Sequence, residues 1–246
     1  MNKIRTAAVA IGAIGLLGAG FGTAEASLIA TKTSSGVINS ATQAGYVAVP
    51  KTGGTVTSFK YVQAQFTVPS VPSCSVNTDA ATQEVFVGGF SVQLRDTCAF
   101  GYSLHGVNTC ISRDQVFGFT PSPGDTIRLI INATTGQETA TNLTRGLTQT
   151  ITEFGCGAGT SAGVLTTANP GSGSPAQTVL DFTQVGFRQA QVEGNTQSAP
   201  QPLGSTAWNV REYALKGPSG RVDVKPEALL TGKFTSAFAN DWASPN

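Results

Sequence analysis

The residues best equipped for chemistry in this chain cluster between Asp96 and Cys110. That stretch holds two of the four cysteines, the only histidine and a run of aromatics and glycines. Ser103 and His105 stand two apart, and a serine beside an imidazole invites a nucleophilic reading. A triad needs an orienting acid and a nucleophile held within hydrogen-bond reach of the base, whereas side chains two apart on a strand project side by side. The expectation is therefore against a serine nucleophile. A zinc site is not expected either, since there is no CxxC pair and His105 supplies a single imidazole where zinc takes four ligands. No cofactor or metal is expected. The carboxylate best placed for acid–base work is Glu84, which shares a strand face with Phe86 and Gly88. Near a strand end it would ordinarily be solvated. No strand carries the carboxylate cluster from which a glycosidase pair could be named.

The elements that must position these residues are strands. Period-two alternation marks Gly45–Val49, Tyr61–Val68 and Gln83–Phe90, the last with Gly88 and Gly89 read as a bulge or close approach. Asp114–Phe119 follows, then the turn Pro121-Ser122-Pro123-Gly124-Asp125. Thr126–Ala133, Glu138–Leu143 and Leu147–Thr152 form a meander. Residues 155–175 read as a long Gly/Ser/Thr-rich segment broken by Val164-Leu165. Strands resume at Thr178–Phe182, Gln184–Val192, Ala207–Leu215, Arg221–Val224 and Lys233–Phe238. No stretch shows a three-turn helical stripe, and about a dozen short strands at this spacing predict an all-β antiparallel sandwich in one domain over residues 41–246.

The first residues, Met1 to Arg5, carry two positive charges before an apolar run, and Ala24-Glu25-Ala26 supplies small residues for cleavage. Residues 1–26 therefore read as a signal peptide, and 27–40 as a disordered leader or short pro-segment. No membrane span is expected. Removing residues 1–26 leaves equal numbers of basic and acidic side chains, which argues against a nucleic-acid partner. In an exported chain Cys74, Cys98, Cys110 and Cys156 predict two disulfides, with three pairings open. Asn132-Ala133-Thr134 and Asn142-Leu143-Thr144 have the form of glycosylation sequons.

A series of short motifs appears in a recognisable order. Ala44-Gly45-Tyr46-Val47 is followed by Phe66-Thr67-Val68-Pro69, by Phe86-Val87-Gly88-Gly89-Phe90 and by Cys98, Gly106, Val107 and Cys110. Then come Ser122-Pro123-Gly124-Asp125-Thr126-Ile127, Ala133-Thr134 and Thr139 to Thr144, Ala162-Gly163-Val164-Leu165, and Asp181-Phe182 with Val185-Gly186-Phe187. In order and spacing these resemble the glutamic peptidases, or eqolisins, secreted acid endopeptidases built as a concanavalin-like β-sandwich. In that family a glutamate activates water and a glutamine amide steadies the oxyanion, the minimum parts for water attack on an amide.

The resemblance places Leu104 at the glutamine and Gly163 at the glutamate; a shifted register offers only Gln177 for the base. Leu104 cannot donate a hydrogen bond and Gly163 has no side chain. The resemblance thus implies a catalytically degenerate pseudoenzyme. It would bind a peptide or glycan as a monomeric secreted or cell-surface protein, over an aromatic face that includes Phe86, Phe90, Phe117 and Phe119. The alternative is an acid endopeptidase with a relocated base, Glu84. Family spacing also implies the pairings Cys98–Cys110 and Cys74–Cys156.

Overall fold

The computed structural model describes residues 28–31, 36–70, 80–98, 100–168, 184–216, 222–232 and 236–242. All regular structure among them is β-strand: β1 (Leu28–Thr31), β2 (Val37–Ser40), β3 (Gln43–Val49), β4 (Phe59–Thr67), β5 (Ala80–Val87), β6 (Phe90–Thr97), β7 (Gly101–Asn108), β8 (Arg113–Val116) and β9 (Thr126–Asn132). The chain continues through β10 (Gln137–Asn142), β11 (Leu147–Thr152), β12 (Ala162–Ala168), β13 (Gln184–Gly194), β14 (Gln201–Pro202), β15 (Asn209–Lys216), β16 (Val222–Pro226), β17 (Leu230–Gly232) and β18 (Ser236–Trp242).

Two layers emerge from the pairings. The first sheet runs β11, β10, β9, β4, β13, β18. The second runs β8, β7, β6, β5, β12, β3, β15. β16 pairs with both β15 and β18 and so joins the layers along one side. Among the described residues every pairing is antiparallel except β2 on β15.

Alternation explains which residues meet between the layers. β9 buries Ile127, Leu129 and Ile131, and the alternate residues Thr126, Arg128, Ile130 and Asn132 stay half-exposed. Facing them, the second sheet contributes Tyr46, Val85, Val92, Leu94, Leu104 and Val164. An aromatic group closes the far end: Phe187 stacks on Phe238 at 5.0 Å, and Phe238 meets Tyr46 edge-on at 4.9 Å. Trp208 is fully buried against Phe59 and donates its Nε1–H to the Leu203 carbonyl at 2.7 Å. Burying each such side chain contributes roughly 1.5–3 kcal/mol. On the outside of the first sheet a glutamine ladder replaces apolar contact, with Gln63 donating to Gln191 and Gln65 to Gln189, both at 2.7 Å.

The meander over residues 126–152 forms as the sequence predicts. Four readings change. Gly88 and Gly89 form a hairpin turn, where no bulge exists but the close approach does: Gly88 takes φ 59°, a Cβ at Gly159 would come within 2.2 Å of Gly88 Cα, and the chain reverses directly into β6, so 91–97 is a strand that the sequence reading left unassigned. Ala162–Ala168, in the Gly/Ser/Thr-rich segment, is a central strand flanked by β3 and β5. Within residues 27–40, where polar composition suggests disorder, two short strands form because β17 and β15 offer open edges to them. Asn142 is fully buried, donating to Asp125 at 2.8 Å and accepting from the Arg145 N–H, and Asn132 caps its turn by accepting from the Thr134 N–H. Both sequon asparagines are thus used structurally. Residues 1–27 and Thr178–Phe182 lie outside the described residues.

The disulfide pairing implied by the resemblance is also corrected. Cys110 is bonded to Cys156, with a sequence separation of 46. Cys98 and Cys110 sit at opposite ends of the β6–β7 hairpin, whose second strand is eight residues long. That puts them roughly 25 Å apart, and a bridge requires Cα atoms within about 7 Å. The bond packs over Gly89, where a Cβ would lie 2.5 Å from Cys156 Sγ and 2.6 Å from Cys110 Sγ. Cys98 is disulfide-bonded too, and Cys74 lies outside the described residues. Non-reducing peptide mapping is expected to recover a Cys110–Cys156 peptide and a Cys74–Cys98 peptide, and removing the first bridge to cost about 4 kcal/mol in the chain-entropy account. A Cys98–Cys110 peptide would refute this strand register.

Candidate functional site

The outer face of the second sheet collects the polar side chains. Its cross-strand rows follow from register and alternation. One row reads Tyr213, Gly45, Leu165, Glu84, Gln93, His105 and Val116. The next reads Arg211, Val47, Gly163, Phe86, Ser91, Val107 and Asp114, and Thr82, Arg95 and Ser103 share the row on the other side.

Across β5 to β8 these residues form one hydrogen-bonded chain. Gln93 Nε2 donates to Glu84 Oε2 at 3.0 Å and to Ser91 Oγ at 2.8 Å. Arg95 Nε donates to Gln93 Oε1 at 2.9 Å, and Arg95 Nη1 to Asp114 Oδ2 at 2.7 Å. His105 Nδ1 lies 2.7 Å from Asp114 Oδ1, and His105 Nε2 lies 2.9 Å from Ser103 Oγ. Burial pushes the Glu84 carboxyl up to about 7, against the Gln93 hydrogen bond and the Arg95 charge, which pull it down. At Asp114 burial pulls upward as well, but hydrogen bonds from His105 and Arg95 outweigh it and hold the carboxyl below its ordinary range.

Beyond Phe86 the face opens into a cleft of about 500 Å³. Its lining includes Val47, Phe86, Gln43, Ser161, Arg211 and Tyr213. Gly163 lies beneath the Phe86 wall and not in the cleft: a Cβ there would come within 2.7 Å of Phe86 Cε1 and 2.8 Å of the Tyr46 carbonyl oxygen, so the Phe86 ring covers it.

The predicted site residues are distributed in an unexpected way. Leu104 is fully buried between the sheets, whereas Gly163 is on the outer face of the second sheet, beneath the Phe86 ring. The two positions suggested by resemblance are therefore on opposite faces and do not make one centre. Phe90 and Phe117 are buried in the core, Phe119 packs partly against it, and only Phe86 lines the cleft. Period two separates Phe86 from Phe90 once the chain reverses between them, so the proposed aromatic face does not form. Glu84 is buried and hydrogen-bonded, not a solvated strand-end group, because β6 and β12 flank it. Ser103 and His105 do come within hydrogen-bond reach, and the acid missing from the sequence reading arrives from the neighbouring strand as Asp114. Gln93, Arg95, Arg211 and Tyr213 were not anticipated. The alternating run Phe90-Ser91-Val92-Gln93-Leu94-Arg95 was the signal for the first two.

Behind this face, inside the sandwich, Glu138 and Glu153 are both buried. Glu153 is met by Arg113 Nε at 3.3 Å and by Gln115 Nε2 at 2.5 Å. Neither Glu138 oxygen has a hydrogen-bond partner among the described residues, and burial, then the charges of Glu153 and Asp114, push its carboxyl up to about 8. Space for it exists because a Cβ at Gly106 would collide with its carboxylate.

No family model matches the chain, and no curated protein matches it. Solved structures do. A Scytalido-glutamic peptidase with a peptide-based transition-state analogue superposes with TM-score 0.64 at 16% identity, over 82% of this chain and 98% of the other. SCP-B, a member of the Eqolisin family of peptidases in complex with the tripeptide Ala-Ile-His, superposes with TM-score 0.59 at the same identity and coverage. The chain thus shares the all-β sandwich fold of these glutamic peptidases.

Proposed function

We propose that this protein holds an extended polypeptide across the outer face of the second sheet, in the cleft lined by Phe86, Val47, Arg211 and Tyr213. The observation that carries this reading is the cleft itself. Phe86 and Val47 form one wall, and the rim presents Arg211, Tyr213, Gln43 and Ser161. A mostly polar lining with a smaller apolar wall suits a peptide, whose amides need partners at fixed intervals while its side chains take the apolar surface. That the two sandwich neighbours were captured with peptide ligands supports the same class of occupant. In this reading Leu104 and Gly163 take no part in catalysis. Export to an oxidising compartment fits the Cys110–Cys156 bond.

Fluorescence anisotropy with labelled peptides from a denatured protein digest tests the proposal. Arg211→Ala combined with Tyr213→Ala should weaken binding at least about tenfold, since losing rim contacts worth about 1.4 kcal/mol or more changes affinity by that factor. Unchanged affinity in the double variant would remove the cleft from consideration.

The Gln93–Glu84 contact favours a second reading, hydrolysis with Glu84 as general base and the Gln93 amide as its neighbouring donor. A base works only when deprotonated, and a carboxyl raised to about 7 is deprotonated above that pH. Any cleavage by this centre should therefore rise as pH passes through about 7 and vanish in Glu84→Gln. Its working range would be neutral, not acidic. Peptide release measured by mass spectrometry from pH 3 to 9 decides the matter, and cleavage confined below pH 5 would exclude Glu84 as the base.

A further inference from the structure

On the same face, and resting on the reading of that face as a ligand site, we propose that Ser103, His105 and Asp114 form a nucleophilic triad that transfers acyl groups from carboxylic esters, with Arg95 facing the oxyanion. The geometry fixes the roles. A carboxylate cannot donate, so the 2.7 Å contact between Asp114 Oδ1 and His105 Nδ1 requires a proton on Nδ1. In the neutral imidazole Nε2 is then the acceptor, and its partner at 2.9 Å is Ser103 Oγ. This is the tautomer in which an imidazole takes the proton of a serine nucleophile.

Arg95 Nη1 also approaches Nδ1, at 3.1 Å, but it is closer to Asp114 Oδ2, at 2.7 Å. The guanidinium and the imidazole therefore share one acid, one on each oxygen. Asp114 is held by this double contact and not by enclosure, since its side chain is 46% exposed. Three strands supply the parts. Arg95 on β6 lies directly opposite Ser103 on β7, and Asp114 on β8 reaches His105 along the diagonal. Arg95 Nη2 makes no hydrogen bond among the described residues, so its N–H groups are available to an oxyanion.

The reaction balances with water alone. Ser103 Oγ attacks the ester carbon as its proton passes to Nε2, and the carbonyl electron pair moves onto oxygen beside Arg95. Collapse restores the carbonyl and breaks the bond to the alcohol, which leaves with the proton from Nε2. Water then repeats the sequence on the acyl-serine and releases the acid and free Ser103. Val116, opposite His105 in register and 63% exposed, gives an apolar surface for the acyl chain. Esters with a short apolar acyl group are the indicated substrates.

A fluorophosphonate probe tests this on the intact protein, because a merely structural polar network leaves a serine unreactive. Intact mass should show one adduct, and peptide mapping should place it on Ser103. Ser103→Ala should abolish the adduct, and His105→Asn should slow its formation at least about 100-fold, the size of general-base assistance. Hydrolysis of p-nitrophenyl butyrate should fall in parallel, with circular dichroism confirming that both variants fold. No adduct on Ser103 of the wild-type protein, or equal labelling with His105→Asn, overturns the triad. Peptide anisotropy run alongside separates the two proposals. Binding without labelling leaves the cleft reading standing and removes the triad, whereas labelling without binding does the reverse.

Discussion

Glu138→Gln is expected to make the protein more stable at pH 8.5 by on the order of 3 kcal/mol while changing little at pH 4.5. The cause is a carboxyl that is fully buried, lacks a hydrogen-bond partner among the described residues and lies near a second carboxylate. In the unfolded chain an ordinary glutamate loses its proton near pH 4.3; in the folded protein Glu138 holds it to about pH 8. Between those values the unfolded state binds fewer protons, so stability falls as pH rises. The contribution is fully present below the unfolded value, is lost as pH climbs through the folded value, and then levels off. A glutamine has the same shape and no charge to lose, so its stability curve should be flatter over that window. Urea midpoints at the two pH values for both proteins measure the difference. Parallel wild-type and variant curves would mean that Glu138 is ionised in the fold at neutral pH. Glu84 and Asp96, raised to about 7 and about 6 by burial, act in the same direction and remain in the variant. The wild-type protein should accordingly be more stable in mild acid than in mild base.

Leu104→Gln has the second large effect, and it is a loss. The substitution restores the residue type that the resemblance places at this position, so a purely motif-based reading anticipates a gain of peptidase activity. The structure anticipates destabilisation by on the order of 4 kcal/mol and no gain. Leu104 is fully buried, paired with Leu94 across β6–β7, and faces the first sheet. An amide there loses the apolar contacts of the leucine and is left without obvious partners in a closed core. The same row already carries the cost of one such group, since both polar atoms of Gln83 are buried without a hydrogen bond among the described residues. Denaturant unfolding measures the stability, and the peptide-release assay the activity. A variant of wild-type stability that cleaves peptides would place residue 104 in the cleft and overturn the facing of β7.

What the sequence determined by itself was mostly local. Alternation of apolar and polar residues named β3, β4, β5, β13, β15 and the meander strands, since a one-residue slip would expose a whole strand's apolar set, whereas β1, β2, β6, β7 and β12 were not read as strands. The Pro-Gly-Asp turn and the meander after it were legible for the same reason. The order of short motifs pointed to the glutamic-peptidase sandwich, and the superposed structures share that fold. Where sequence reading failed, one local ambiguity was decisive. Two glycines can mark a bulge or a turn, and only pairing partners distinguish them. Reading Gly88-Gly89 as a bulge or close approach within one strand, and not as a turn, hid β6, and with it Gln93 and Arg95, the two residues that connect Glu84 to His105.

The site belongs to the tertiary structure. Asp114 stands nine residues from His105 in sequence and is its hydrogen-bond partner only because β8 pairs with β7 in one register. The elevated pKa of Glu84 comes from burial, which no residue in its neighbourhood announces. Cys98 and Cys110 are separated not by sequence distance but by the length of a hairpin. Faces are decided similarly: Leu104 and His105 are adjacent in the chain, yet period two sends one into the core and the other onto the outer surface. A strand's residues, therefore, follow from its own sequence, but what they touch follows from the strands beside it.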